Sequence, residues 1–189
     1  MMKSVAFEAY SAPARILHWL TVFALIGLAA LGLTMTGLPV SPVKLKLYAY
    51  HKWLGISVLS LTAVRFGWRL HAPPPPLPQN MPVAERKAAS FVHALLYLLL
   101  FLVPLSGWAM SSASGFPVVL FGALPLPDFV PKDKALAETL KATHLALNLA
   151  LGSLVIVHMA AALRHHLMLH DDVLARMLPW LAKRNGTGP

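Results

Sequence analysis

The sequence has no cysteine. Disulfides, thiol nucleophiles, iron–sulfur clusters and thiolate zinc sites are excluded at once. Charge is scarce too: 12% of the 189 residues are charged, about half the share of a soluble domain. Only seven residues are acidic, and none of them falls in the long apolar runs. Intramembrane carboxylates of the kind proton-coupled transporters use are therefore missing. What is present is hydrophobic: 57% of the residues, with a mean hydropathy of +0.64. A soluble fold of this size needs more polar surface, so an integral membrane protein is expected. The formal charge of +9 comes from Lys and Arg flanking the apolar runs. That reads as topology and lipid contact, with no nucleic-acid partner. Met1–Pro13 lacks the short apolar core and small-residue site of a cleaved signal, so the first apolar run is expected to be retained.

Four spans are expected in one domain covering 1–189: about 15–38, 50–70, 90–111 and 141–166. Pro39 and Pro42 stop the first. The run APPPPLPQNMP from Ala72 to Pro82 cannot be helical and carries the chain along the surface after the second. Val83–Lys87 restarts a helix in the headgroup zone, and Pro104 is expected to kink the third span. The loop 112–141 begins with an apolar stretch broken by Gly and Pro, expected at the interface over the bundle mouth. Its second half, Pro131–Leu140, is expected as a short helix leading into the fourth span. Four spans put both termini on one side. That side carries ten Lys and Arg: Lys3, Arg15, Arg65, Arg69, Arg86, Lys87, Arg164, Arg176, Lys183 and Arg184. The other carries six: Lys44, Lys46, Lys52, Lys132, Lys134 and Lys141. The excess places both termini in the cytoplasm.

The fourth span holds His144 and His158, fourteen residues apart. At about 100° and 1.5 Å per residue they point within about 40° of each other and stand about 21 Å apart. With the expected topology, His18 and His158 share an inner level, on the side of the termini, and His51 and His144 share an outer one. Buried imidazoles in lipid are costly without partners, and two facing imidazoles at one level of a bundle form a bis-His site. The same fourteen-residue step links His18 to Gly32, His51 to Arg65 and His93 to Gly107. Glycine leaves room for a flat macrocycle. Arg65 reaches the inner level, where a guanidinium can hold a carboxylate such as a haem propionate. An interfacial cap competes with a ligand role for His93. Zinc calls for three or four protein ligands, often with a carboxylate, and no HExxH motif is present. Two imidazoles per level in apolar surroundings suit haem. Without CxxCH the haem is non-covalent, type b. The expected fold is thus an all-α, four-helix membrane bundle with two b haems in its core.

At these residues the chain resembles the bacterial di-haem cytochrome b561 family, related to the cytochrome b subunits of nickel–iron hydrogenases. The resemblance rests on R-I-L-H-W around His18, Y-H-K-W-L-G around His51 with V-R-F-G-W-R-L after it, T-H at His144, V-H-M-A-A-A-L-R-H-H ending at His166, and L-A-R-M-L-P near Pro179. It implies an inner-membrane bundle that moves electrons between its haems and the quinone pool. It also implies axial ligands at His18, His51, His144 and His158, the set reached from topology. One type within that family is similar to a superoxide oxidase, which takes an electron from superoxide and reduces ubiquinone.

Three functions follow as expectations. The first is an electron-transfer oxidoreductase of superoxide:ubiquinone type, stand-alone or weakly homo-oligomeric. Its outer mouth would attract an anion through six lysines set against Asp128, Asp133 and Glu138, although ordinary headgroup contact accounts for those lysines equally well. The second is a cytochrome b anchor that passes electrons from a peripheral dehydrogenase or hydrogenase to quinone. The third, a histidine-based metal or proton transporter, is disfavoured by the lack of intramembrane carboxylates.

Overall fold

A computed structural model describes residues 8–77 and 81–182. Lys3, Lys183 and Arg184, counted above toward the charge of the inner side, lie outside the described residues. So do residues 1–7 of the leading segment and 78–80 of the proline-rich run. Four long helices dominate: α1 (Ala12–Gly37), α2 (Pro42–His71), α3 (Val83–Ala113) and α4 (Lys134–Leu167).

The helix ends follow local chemistry. Ser41 caps α2, its side chain accepting from the Lys44 N–H at 3.3 Å, and Pro42 takes a first-turn position where its missing N–H is harmless. Asp133 caps α4 in the same way, accepting from Leu136 N at 2.7 Å. Arg69 closes α2 and Arg164 closes α4, each complementing the negative end of a helix dipole. Past the end of α3, Gly115 has φ +73°, and a Cβ there would come within 2.7 Å of Lys132 Cε. The left-handed φ favours glycine, while the flexible end of Lys132 can move aside.

Two boundaries differ from expectation. Helix α2 starts at Pro42, eight residues before Tyr50, because the Ser41–Pro42 start signal lies beyond the apolar run. Helix α3 starts at Val83, where a helix restart is expected, and runs through the buried Pro104 to Ala113. Pro131–Leu140 is no separate helix, since α4 runs unbroken from Lys134. The loop between α3 and α4 adds a small antiparallel ladder, β1 (Val119–Leu120) and β2 (Leu124–Pro125), turning at Phe121 and Gly122, both with positive φ.

Neighbours pack in chain order: α1 on α2, α2 on α3, α3 on α4. Among the described residues no Cα of α1 comes within 8 Å of α4, so these two helices are spaced more widely than the three pairs adjacent in the chain. The exterior is apolar. Ile16, Phe23, Leu33, Phe91, Leu149 and Ile156 are all exposed. A chain that turns large aliphatics outward over whole helices is built for lipid. Helices α1, α3 and α4 are each long and apolar enough to cross a membrane. Helix α2 is long enough at 30 residues, but Arg65, Arg69 and three lysines make it more polar. The protein is membrane-spanning.

Candidate functional site

The buried core sits at mid-depth. Val58, Leu100, Val103 and Leu151 form its centre, with Leu25, Leu28, Leu96 and Leu147 packed around it. Val58 is seven residues from both His51 and Arg65, Leu100 from both His93 and Gly107, and Leu151 from both His144 and His158. Leu25 has the same place between His18 and Gly32. Seven residues are about 10.5 Å of helix and almost two full turns, so the midpoint lies on the same face as both ends. The fourteen-residue step therefore carries an apolar septum at its centre and a polar level at each end.

At the outer level, α2 presents His51 and α4 presents His144, near enough to interact electrostatically. Each ring lies beside a glycine of a neighbouring helix. A Cβ on Gly32 would stand 3.6 Å from His51 Cε1, and one on Gly107 would stand 3.0 Å from His144 Cε1. His144 is the better held of the two. Its Nδ1 lies 2.9 Å from Ser106 Oγ and 3.1 Å from the Val103 carbonyl. Ser106 Oγ itself donates to that carbonyl at 2.8 Å. A carbonyl only accepts, and the hydroxyl proton is already committed, so Nδ1 carries the hydrogen. The lone pair of Nε2 is left for a ligand. The ring of His51 turns toward the Leu28 carbonyl, four residues before Gly32, but its buried Nδ1 closes no hydrogen bond. Ser106 was not legible in the sequence as a site residue. The only signal was its place next to Gly107.

At the inner level three rings converge, not two. His18 and His158 have ring centroids 6.5 Å apart, and His93 and His158 5.2 Å apart. His18 Nδ1 is buried without a hydrogen-bond partner among the described residues. Arg65 lies in the same neighbourhood, close enough for its charge to act on all three rings. Its guanidinium stacks over Tyr97, 5.4 Å from the ring centroid, and Arg69 approaches the same ring at 5.8 Å. Among the described residues no carboxylate pairs with Arg65. Among the described residues the three rings are not arranged to hold one metal ion between them.

The outer mouth is closed by the loop after α3. Lys52 Nζ donates to Ser111 Oγ and to the carbonyls of Phe116 and Pro117 at 3.1 to 3.3 Å. Trp53 Nε1 donates to the Val119 carbonyl at 2.7 Å. Lys44 binds the Leu38 carbonyl at 2.6 Å, and Lys141 pairs with Glu138 at 3.7 Å. Three of the six outer lysines thus have structural partners.

A membrane-spanning helical bundle with imidazoles gathered in its interior is an arrangement that suits a membrane b-type cytochrome. The chain is a member of the prokaryotic cytochrome b561 family: the sequence model described as Prokaryotic cytochrome b561 matches residues 9–180. Among curated relatives it is 36% identical over 173 residues to "Cytochrome b561 homolog 2" of Escherichia coli (strain K12), covering 90% of this chain and 92% of that one. It is 32% identical over 164 residues to "Probable superoxide oxidase CybB" of Yersinia pestis, covering 86% and 92%. To "Cytochrome b561 homolog 1" of Escherichia coli (strain K12) it is 31% identical over 166 residues, covering 86% and 93%. Membership carries b-type haem and membrane electron transfer with it.

Proposed function

We propose that the protein is a superoxide:ubiquinone oxidoreductase of the bacterial inner membrane, with both termini cytoplasmic and two haem b groups. His18 and His158 hold the inner haem, His51 and His144 the outer. The observation that supports this most is the apolar septum, which divides the interior into two imidazole levels served by one helix, α4. The residues fit the group. A metal–imidazole bond of about 2 Å on each side, plus the ring radii, separates two centroids by about 6 Å. His18 and His158 stand at 6.5 Å, whereas His93 is nearer His158, at 5.2 Å. Gly32 and Gly107 keep side-chain bulk away from the outer rings, and Arg65, with no carboxylate partner among the described residues, suits a propionate.

Haem, when bound, supplies reversible one-electron storage. The protein's part is to fix each imidazole, exclude water and set the direction of flow. Two superoxide anions release one electron each and leave as dioxygen. One ubiquinone takes both electrons and two protons and leaves as ubiquinol. A cleft of about 370 Å³ between α2 and α3 opens beside the inner level, lined by Phe66, Arg69, His93, Tyr97 and Phe101. Its aromatic walls suit a quinone ring, and His93 can hydrogen-bond a quinone oxygen there. The relative named a probable superoxide oxidase supports the donor assignment.

The test is purified protein in liposomes with ubiquinone and an external superoxide source. Ubiquinol should appear at one per two superoxide consumed, and His93→Ala should slow it while leaving haem content at two per chain. Reduction of the haems by dithionite, with none by superoxide, would refute the donor assignment.

A further inference from the structure

Helix α1 carries His18 and α4 carries His158, yet among the described residues no Cα of one helix comes within 8 Å of the other. Something else must fix their spacing. Helix α1 is tied to α2 at this end by Trp68 Nε1, which donates to Ser11 Oγ at 3.0 Å. Its tie to α4 is the segment after α4. Asp171 folds that segment back on its own helix: Oδ2 pairs with His165 Nδ1 at 2.5 Å, and Oδ1 accepts from Val173 N at 3.0 Å. The chain then crosses to α1. The Arg176 carbonyl accepts from Tyr10 N at 3.1 Å, and the Met177 carbonyl accepts from Trp19 Nε1 at 3.4 Å. Arg176 also donates to the Pro76 carbonyl in the α2–α3 connection. Ala175, between these anchors, is 1% exposed. This segment is packed, not a loose tail. Trp19 carries the link inward, its ring edge-on to His18 at 5.2 Å between centroids.

We propose that residues 171–178 are a clasp that bridges the widely spaced α1 and α4 and sets the spacing of His18 and His158. These residues position the inner pair and touch no reacting atom. A clasp of this kind acts on one level only, because its anchors, Trp19 on α1 and Tyr10 just before that helix, lie beside His18 or toward the start of α1. Without it, α1 and α4 would be joined at this end only through α2, α3 and side chains such as His18 and His158 that meet between them.

The experiment uses the full chain, and its lack of cysteine allows clean labelling. Spin labels at Ile16→Cys on α1 and Leu163→Cys on α4, both exposed positions, report the inner-end spacing. Labels at Leu33→Cys and Leu45→Cys report α1 against α2 at the other end. Asp171→Ala, and separately Trp19→Phe with Arg176→Ala, should at least double the width of the first distance distribution and leave the second unchanged. Trp180→Ala, at a residue 74% exposed, should change neither. The second arm rests on the two-haem reading: after a mild detergent wash the variants should lose at least half of the inner haem and keep the outer. An unchanged first distance overturns the clasp even when the wild type holds two haems. So does equal broadening of both pairs, which would mark a general loss of packing. A wild type without two haems would instead overturn the cofactor reading and leave the distances to decide the clasp.

Discussion

At the scale of the residue, two glycines with the same apparent role have different tolerances. A methyl at Gly32 meets His51 at 3.6 Å, an ordinary contact. A methyl at Gly107 meets His144 at 3.0 Å, and that ring is already held by Val103 and Ser106. The ring cannot give without breaking those bonds. Gly107→Ala should therefore weaken outer haem retention, by roughly ten- to a hundredfold for an overpacking cost of about 1–3 kcal/mol. Gly32→Ala should keep it. Comparing haem loss to apomyoglobin from the two variants checks this, and equal behaviour would argue against the glycine cradle. Arg65→Ala should lower the reduction potential of the inner haem and spare the outer, because the lost cation disfavours the more positive oxidised form. A redox titration that moves only the outer haem would contradict it. If Arg65 merely reaches toward headgroups, neither potential shifts.

The helices show how far an apolar pattern reads. The four helices were legible as runs, and three of them, α1, α3 and α4, are long and apolar enough to cross a membrane. Their ends were less so. The stretch from Pro42 to Ala49 carries two lysines, and hydropathy made it a loop, while the Ser41 cap and Pro42 made it helix. Capping is a local hydrogen-bonding signal that hydropathy does not register. Asp133→Ala removes the corresponding cap of α4 and should cost about 1 kcal/mol of stability. The loss should appear as faster amide exchange over the first turn from Lys134, with His144 and its level unaffected. Faster exchange spread along the whole of α4 would show that the cap does more than close one end.

For the whole molecule, the two levels were legible because fourteen residues return to one face of a helix, and the septum at the midpoint of each step is the packing counterpart of that arithmetic. What spacing along the chain could not show is which rings meet across helices. His93 joins His18 around His158 only through the rotation of α3, and the clasp depends on contacts between residues more than 150 positions apart, Trp19 with Met177. The alternative pairing, with His93 in place of His18, is the sharpest challenge to the account. The measurement that meets it is the haem-to-protein ratio, with separate inner and outer redox signals, in His18→Ala, His93→Ala, His51→Ala, His144→Ala and His158→Ala beside the wild type. The account predicts two acid–acetone-extractable haems in the wild type and in His93→Ala. It predicts one in each of the others, with the outer lost in His51→Ala and His144→Ala and the inner lost in His18→Ala and His158→Ala. Full haem content in His18→Ala, or loss of the inner haem in His93→Ala, would contradict it.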